Sequence, residues 1–212
     1  MSKKSIRNDW QLIESLIDPK SKVLDIGCGE GGLLKQLEAN IHSDTRGIEI
    51  DPKLTRKAIA EGLNVVQGNA EYDLNQYSNQ SFDYVILSQT LQVMLKPKEV
   101  LKELLRIGAK AIVSFPNFGH WKIRFQLLLS GRSPVTEGLP YTWYESPNFH
   151  FFTIKDFQDL CKKSNIVIEK CVGLTSNRRQ FNLDNNVLGF NFFVSEAIFL
   201  LSYQKFESIK IQ

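Results

Sequence analysis

The sequence has few cysteines, and none is placed for a disulfide framework or a zinc site. Its 212 residues include only Cys28, Cys161 and Cys171, which are widely spaced and form no CxxC pair. An odd, scattered set of this kind argues against both types of cross-link. No apolar run approaches the roughly 18 residues of a membrane span. The N-terminal segment MSKKSIRNDW also lacks the apolar stretch of a secretory signal. We therefore expect a reduced, cytoplasmic protein with no membrane partner.

The net charge is too small to indicate a nucleic-acid partner. Lys and Arg total 26 and Asp and Glu total 23, so the formal charge is +3, and a nucleic-acid-binding domain usually carries a clustered basic stripe. Hydrophobic residues make up 42% of the chain. A chain of this length buries roughly 70% of its unfolded surface, so its core needs no metal. We expect a single domain over residues 1–212.

Short apolar or β-branched runs alternate with helical patterns from Trp10 to Leu105, and there is no internal repeat. Such alternation indicates an α/β protein with a mostly parallel sheet. Asp51 and Pro52 are typical first residues of a helix, and Thr153 with Asp156 resembles a capping box. The predicted strands are 22–26, 45–50, 64–67, 82–87, 111–115, about 166–171 and about 196–203. The predicted helices cover about 8–17, the segment after the glycine cluster, 52–61, 97–108, about 121–129 and the segment from 153.

The regular pattern breaks at residues 116–150, which hold four of the seven prolines and two of the three tryptophans. This segment is too long for a simple connection in a compact domain. We interpret it as a helix near Trp121 followed by a loop, together forming a cap or insertion. Residues 175–193 are rich in Asn and Phe and give no clear pattern.

The most informative segment is VLDIGCGEGGLL at residues 23–34, which satisfies GxGxxG at Gly27, Gly29 and Gly32. The motif is weak alone, but here it lies between a predicted strand and a predicted helix, as a nucleotide-binding loop requires. Glycines allow a tight turn and a close approach of the backbone to a ligand. In an open α/β sheet the loop lies at the carboxyl end of the first strand, where ligands bind.

Two carboxylates decide between the cofactor classes that use this layout, NAD(P) and S-adenosylmethionine. Glu49 ends the second strand about twenty residues past the loop, where a carboxylate accepts both ribose hydroxyls. Asp25 stands two residues before Gly27, where it would repel a pyrophosphate and favour the ammonium and sulfonium of S-adenosylmethionine. Glu30 adds a further negative charge to the loop. The alternatives are that Asp25 serves the dipole of the following helix and that Glu49 is a solvated strand end.

Polar residues follow the third and fourth predicted strands as well. The side-chain oxygen of Asn69 would meet the exocyclic amine of adenine, and the alternative is that Asn69 is a plain turn residue. Ser88 and Gln89 would lie near the methionine end of the cofactor. No NPPY-like tetrapeptide follows strand four, where SQTL stands at 88–91, so methylation of nucleic-acid or glutamine amino groups gains no support.

Residues 23–34 with GIEID at 47–51 resemble the class I S-adenosylmethionine-dependent methyltransferases. SFDYVILSQTLQ at 81–92, SFPNFGHWKIRFQLLLSGRSPVT at 114–136 and LPYTWYESPNFH at 139–150 resemble the methionine-biosynthesis protein W family, MetW. The resemblance covers about residues 8–202, and the last two runs are specific to the family. At Asn69 the family typically carries Asp.

The resemblance implies a Rossmann-like class I fold, with a mostly parallel twisted sheet, helices on both faces and an antiparallel C-terminal strand. It implies binding of S-adenosylmethionine or S-adenosylhomocysteine. With the residues above, the cofactor-binding candidates are Asp25, Gly27, Cys28, Gly29, Glu49, Ile50, Asn69, Ala70, Ser88 and Gln89.

MetW proteins are associated with MetX, the homoserine O-acyltransferase of methionine synthesis. The resemblance therefore implies a partner that supports O-acylhomoserine formation. An active methyltransferase acting on a small molecule is the alternative, and an NAD-binding module is a weaker one.

A methyltransferase often adds a base that deprotonates the acceptor. The candidates are His120, Tyr141 and Tyr144, and none lies in a recognised acceptor motif. His120 would contact a substrate or partner, or would be a hydrogen-bonded structural residue. Tyr141, Trp143 and Tyr144 would line a pocket, anchor an interface or fold back into the core.

Overall fold

The computed structural model describes residues 8–136, 139–148, 150–177, 179–182 and 187–203. Eight strands in this part form one sheet in the order β3-β2-β1-β4-β5-β8-β6-β7. The strands are β1 (Lys22–Ile26), β2 (Asp44–Glu49), β3 (Val65–Gln67), β4 (Phe82–Ser88), β5 (Gly108–Pro116), β6 (Ile166–Leu174), β7 (Gln180–Asn182) and β8 (Glu196–Tyr203).

Strands β1 to β5 are parallel, whereas β8 runs antiparallel to both of its neighbours, β5 and β6. The edge strand β7 is antiparallel to β6. The predicted Rossmann-like sheet with an antiparallel C-terminal strand is confirmed. Because β5 and β6 both oppose β8, they point the same way. The carboxyl ends of β1 to β6 therefore lie at one edge, and the strand order reverses between β1 and β4, where α/β folds bind ligands.

Two helices begin where the sequence predicts their N-terminal caps. Asp51 caps α3 by accepting the Lys53 N–H, with Pro52 as the first residue, and Thr153 forms a capping box with Asp156 before α7. None of the described helices is long and apolar enough to cross a membrane. The helices are α1 (Asn8–Glu14), α2 (Gly32–Ile41), α3 (Pro52–Ala60), α4 (Ala70–Asp73), α5 (Pro97–Ile107), α6 (Trp121–Ser130), α7 (Ile154–Lys163) and α8 (Val187–Phe193).

Alternate residues of the central strands enter two separate cores, one on each face of the sheet. In β1, Val23 packs with residues of α1 and α2, whereas Leu24 packs with residues of α5 and α7. The side chains of a strand point to opposite faces in turn, so a strand buried on both faces reads as a continuous apolar run. The predicted placement of helices on both faces is confirmed.

Several element boundaries differ from the sequence prediction; strand β5, for example, begins at Gly108 rather than at residue 111. Helix α1 ends at Glu14 rather than Ile17, although Leu16 and Ile17 stay buried. Strand β6 continues to Leu174. The unassigned segment 175–193 contains β7 and α8, which are too short to give a periodic signal.

Candidate functional site

The glycine loop connects β1 to α2 at the carboxyl edge of the sheet. Gly27, Gly29 and Gly31 have φ values of 74°, 59° and 77°, in the left-handed region that favours glycine. A Cβ at Gly29 would meet no atom within 4 Å, whereas one at Gly27 would contact Thr90. The loop therefore presents bare backbone to open space at Gly29.

The buried carboxylate of Glu49 is tied to this loop. Its Oε2 accepts the backbone N–H of Gly29 at 2.7 Å, and its Oε1 accepts the N–H of Asp51 at 2.9 Å. Only 7% of Glu49 is exposed, so it is not a solvated strand end. Each oxygen keeps a lone pair for a further donor, because an ionised carboxylate offers about four acceptor positions.

Two further candidate residues at the loop, Asp25 and Cys28, are buried. Asp25 lies within β1 and is 3% exposed. Burial raises the pKa of the Cys28 thiol, and the carboxylates of Asp25 and Glu49 raise it further. The thiol therefore stays protonated and is not a nucleophile. Cys28 belongs to a small apolar cluster with Leu34 and Ala58, so its side chain serves packing.

Glu30 contributes less negative charge to the loop than its position suggests. Its Oε1 accepts a hydrogen bond from Lys57 Nζ at 2.8 Å, and most of the Lys57 side chain is exposed. The pair is partly screened by solvent, as surface ion pairs are. Lys57 therefore offsets part of the negative charge that Glu30 brings to the loop.

The residues after β2 and β3 differ in exposure. Ile50, next to Glu49, is 62% exposed, and Ala70 is buried. Asn69 caps α4, since its Oδ1 accepts the Glu71 N–H at 2.9 Å. This cap is the turn role that the sequence left open, and a carbonyl oxygen keeps a second lone pair. Adenine contact by Asn69 stays a prediction.

Ser88 and Gln89, at the end of β4, contact distant parts of the chain. Ser88 Oγ donates to Asp9 Oδ2 at 2.9 Å and lies 3.1 Å from Ser114 Oγ. Gln89 has a φ of 54°, and its side-chain amide donates to Glu196 at the start of β8. Sequence reasoning missed Asp9, because an acidic residue in the first turn of a helix ordinarily serves only the helix dipole.

Two buried polar atoms near this strand end lack a hydrogen-bond partner among the described residues. The side-chain Nε2 of Gln92 donates to the backbone carbonyl of Gln89 at 2.8 Å. The backbone carbonyl of Gln92 accepts the backbone N–H of His150 at 3.1 Å. However, Gln92 Oε1 and His150 Nε2 are buried without a partner in the described part of the chain. Buried polar atoms are normally satisfied, so a bound water or ligand would complete them.

His120 lies at the same sheet edge, beyond β5. It is buried and precedes α6, and it lines a cavity of about 650 Å³ together with Lys122, Arg179 and Phe190. Burial lowers the pKa of its imidazole, and Lys122 lowers it further. His120 is therefore neutral at pH 7 and competent to accept a proton.

Tyr141 and Tyr144, the other base candidates, do not meet His120. They are 51% and 69% exposed, and neither lines the cavity. Trp143 is also exposed and packs its ring against Tyr144. The folded-back core interpretation of these aromatics is therefore wrong.

Solved structures resemble this chain closely in fold and weakly in sequence. A Thermotoga maritima S-adenosylmethionine-dependent methyltransferase, described as a possible histamine N-methyltransferase, superposes with a TM-score of 0.67 and 18% identity over 93% of this chain and 88% of that one. A chain from the complex of the Haloferax volcanii Trm112 methyltransferase activator with a putative methyltransferase gives a TM-score of 0.66 and 11% identity over 92% and 88%. These resemblances show a class I methyltransferase fold.

A curated relative is more similar in sequence. It is the bifunctional methionine biosynthesis protein MetXA/MetW of Rhodopirellula baltica, 34% identical over 171 residues and 76% of this chain. This chain spans 27% of that relative's length. The family model for methionine biosynthesis protein MetW matches residues 7–201. The resemblance read from residues 81–150 is confirmed, and the chain belongs to the MetW family.

Proposed function

We propose that this chain binds S-adenosylmethionine or S-adenosylhomocysteine at the glycine loop and partners a homoserine O-acyltransferase of the MetX type. In that role it supports O-acylhomoserine formation in methionine synthesis. The observation that carries the proposal is the relative in which MetXA and MetW form one polypeptide. Fusion holds two domains at a high effective concentration, and separate chains with the same shared task would have to associate.

The residues around the loop fit the cofactor. Glu49 keeps acceptor positions for ribose hydroxyls, and bare backbone at Gly29 leaves room beside it. The buried carboxylate of Asp25 favours a cation over a pyrophosphate, because charges interact strongly in a partly desolvated site. The exposed side chain of Ile50 offers an apolar surface to a purine. The unpartnered Gln92 Oε1 would accept from an ammonium group.

The partnership is tested by co-purification with the acyltransferase of the same organism. Acylation of homoserine is measured with and without this chain, and with and without S-adenosylmethionine. We expect a stable complex and a faster reaction in its presence. Absence of a complex together with an unchanged rate would refute the partnership. Calorimetry with S-adenosylmethionine and NAD separates the two cofactor classes.

A second candidate function, methyl transfer to a small molecule, is favoured by the cavity at His120. Methyl transfer from a sulfonium needs mainly positioning and exclusion of water. When bound, S-adenosylmethionine would supply the activated methyl group, and a neutral His120 would accept the proton of an acceptor in the cavity. Incubation with methyl-labelled cofactor and cell extract tests this function, and failure to label any acceptor would contradict it.

A further inference from the structure

Exposed apolar side chains are concentrated in one segment of the described chain. Helix α6 buries none of its residues. Ten of the nineteen large hydrophobic residues that are strongly exposed lie between positions 121 and 151. Five of them lie on α6 and five in the segment that follows it. We call these ten the α6 face: Trp121, Phe125, Leu127, Leu128, Leu129, Val135, Tyr141, Trp143, Tyr144 and Phe151.

Helix α6 is apolar over most of its surface, and Lys122, Gln126 and Ser130 form its one polar stripe at a spacing of four residues. Trp121, Phe125 and Leu128 lie on one face at helical spacing, whereas Leu127 and Leu129 point elsewhere and are also exposed. A surface helix ordinarily buries its apolar stripe and exposes its polar face, whereas α6 leaves apolar residues exposed on several sides. A helix lying on lipid needs a strongly charged polar face, and the polar stripe of α6 holds only one charged residue, Lys122. The pattern therefore favours a protein groove over a membrane surface.

The α6 face exposes as much apolar area in total as one side of a standard interface buries. Its ten side chains expose on the order of 1000 Å², compared with roughly 800 Å² that each partner contributes to a standard interface. Ring contacts from Trp121 through Phe125 and Phe192 to Phe193 extend it towards α8. The cavity of about 650 Å³ has Trp121 and Phe193 in its wall. It would receive an anchoring side chain of the partner, as the pockets at binding hot spots do.

The charge on helix α6 and directly after it has one sign, whereas Glu145 follows Tyr144 farther along the α6 face. Lys122, Arg124 and Arg132 are the only charged residues between positions 117 and 136, and Arg179 lines the cavity. Complementary charge sets the orientation of a partner and its rate of association. The matching surface is therefore an apolar groove with acidic residues at its rim.

We infer that the α6 face is the surface on which this chain docks its homoserine O-acyltransferase. The acyltransferase would contribute an apolar groove with acidic residues at its rim. The inference rests on the proposed partnership and adds the surface to it. It places the docking surface beyond β5, whereas the proposed cofactor site lies at the carboxyl ends of β1 to β4. Substitutions in the α6 face would therefore break the complex without weakening cofactor binding.

A labelling experiment maps the surface without disrupting it. Cys28, Cys161 and Cys171 are all buried, so maleimide would label a Leu128→Cys variant selectively. Ile59→Cys is the matched control, because Ile59 is an exposed apolar residue of α3 outside the α6 face. We expect saturating acyltransferase to slow labelling at position 128 by at least tenfold and to leave position 59 unchanged. Equal rates at position 128 with and without bound acyltransferase would overturn the inference.

Disruption tests the same surface by affinity. Leu128→Asp should weaken the complex by at least tenfold, whereas Ile59→Asp should have no effect, and both should keep their affinity for S-adenosylmethionine. A wild-type complex that neither Leu128→Asp nor Phe125→Asp weakens would overturn the docking surface and leave the partnership intact. The inference would also be overturned if these variants kept the acyltransferase complex and instead lost a dimer of this chain or binding to anionic phospholipid vesicles. Absence of any wild-type complex would refute the proposed partnership and this inference with it.

Discussion

Glu49 Oε2 accepts the backbone N–H of Gly29 at 2.7 Å, across 20 residues of sequence. One buried carboxylate thus fixes the shape of the glycine loop and keeps lone pairs for a ligand. The same side chain also accepts the Asp51 N–H at the start of α3. The proposed ligand contact and the local fold therefore depend on the same residue.

Glu49→Ala and Asp25→Ala should each weaken S-adenosylmethionine binding by about 1 to 3 kcal/mol, the size of a lost hydrogen bond to a charged group. Titration calorimetry measures the effect. Asp83→Ala is the control, because Asp83 accepts the Lys22 N–H at the opposite edge of the sheet and should leave the affinity unchanged. If both site variants bind like the wild type, the cofactor site is wrongly placed.

Gly47→Ala should destabilise the fold by about 1 to 3 kcal/mol through overpacking. The added Cβ would lie 2.5 Å from Cys28 Sγ and 2.9 Å from a Leu34 methyl group. Removing the sulfur with Cys28→Ala should make Gly47→Ala less costly, giving a coupling of roughly 1 kcal/mol between the two sites. Urea unfolding of the four proteins of this cycle measures it. Strict additivity would contradict the predicted clash.

The pKa of His120 should lie below its ordinary value, because burial and the charge of Lys122 both disfavour the imidazolium. The chain has only two other histidines, His42 and His150, so His120→Gln assigns its NMR signal in a pH titration. Lys122→Met should raise the midpoint towards the ordinary value. A wild-type midpoint at or above the ordinary value would contradict the prediction.

The same shift gives a sign for stability against pH. The pKa of His120 is lower in the folded state, so protonation favours the unfolded state. The contribution of neutral His120 to stability is complete above the pKa of the unfolded state, about 6.5. It is lost as the pH falls through the pKa of the folded state. Between pH 7 and pH 5, the free energy of unfolding should therefore fall more steeply for the wild type than for His120→Gln.

His42→Gly should stabilise the protein by about 1 kcal/mol, since glycine adopts the left-handed conformation without a steric penalty. His42 is exposed, follows α2 with a φ of 54°, and its N–H donates to the Leu37 carbonyl. Thermal unfolding measures the gain. His42→Ala keeps a Cβ and should bring no such gain, so equal stabilisation by both variants would rule out this cause.

Features with a local cause could be predicted from the sequence. The Asp51 cap, the capping box at Thr153 and the buried strand β1 follow from neighbouring residues and periodicity, and all three are present. Strand β7 is only three residues long. A segment that short has no period to detect, so its pairing with β6 could not be predicted.

The contacts of the site were less predictable, because they join distant positions. The hydrogen bond between Ser88 and Asp9 spans 79 residues, and the one between Gln89 and Glu196 spans 107. Residue types at the carboxyl ends of strands indicate which side chains are near a ligand. They do not show which of those side chains the rest of the fold engages, as β8 engages Gln89.

The position of β8 also bears on how the molecule is made. Its central residues, including Phe199, are fully buried between β5 and β6, although it is the last strand of the described chain. During synthesis, the edges of β5 and β6 that pair with β8 therefore stay unpaired until residues 196–203 leave the ribosome. Open edges of this kind pair with other chains, so the nascent protein is expected to be prone to aggregation until β8 inserts.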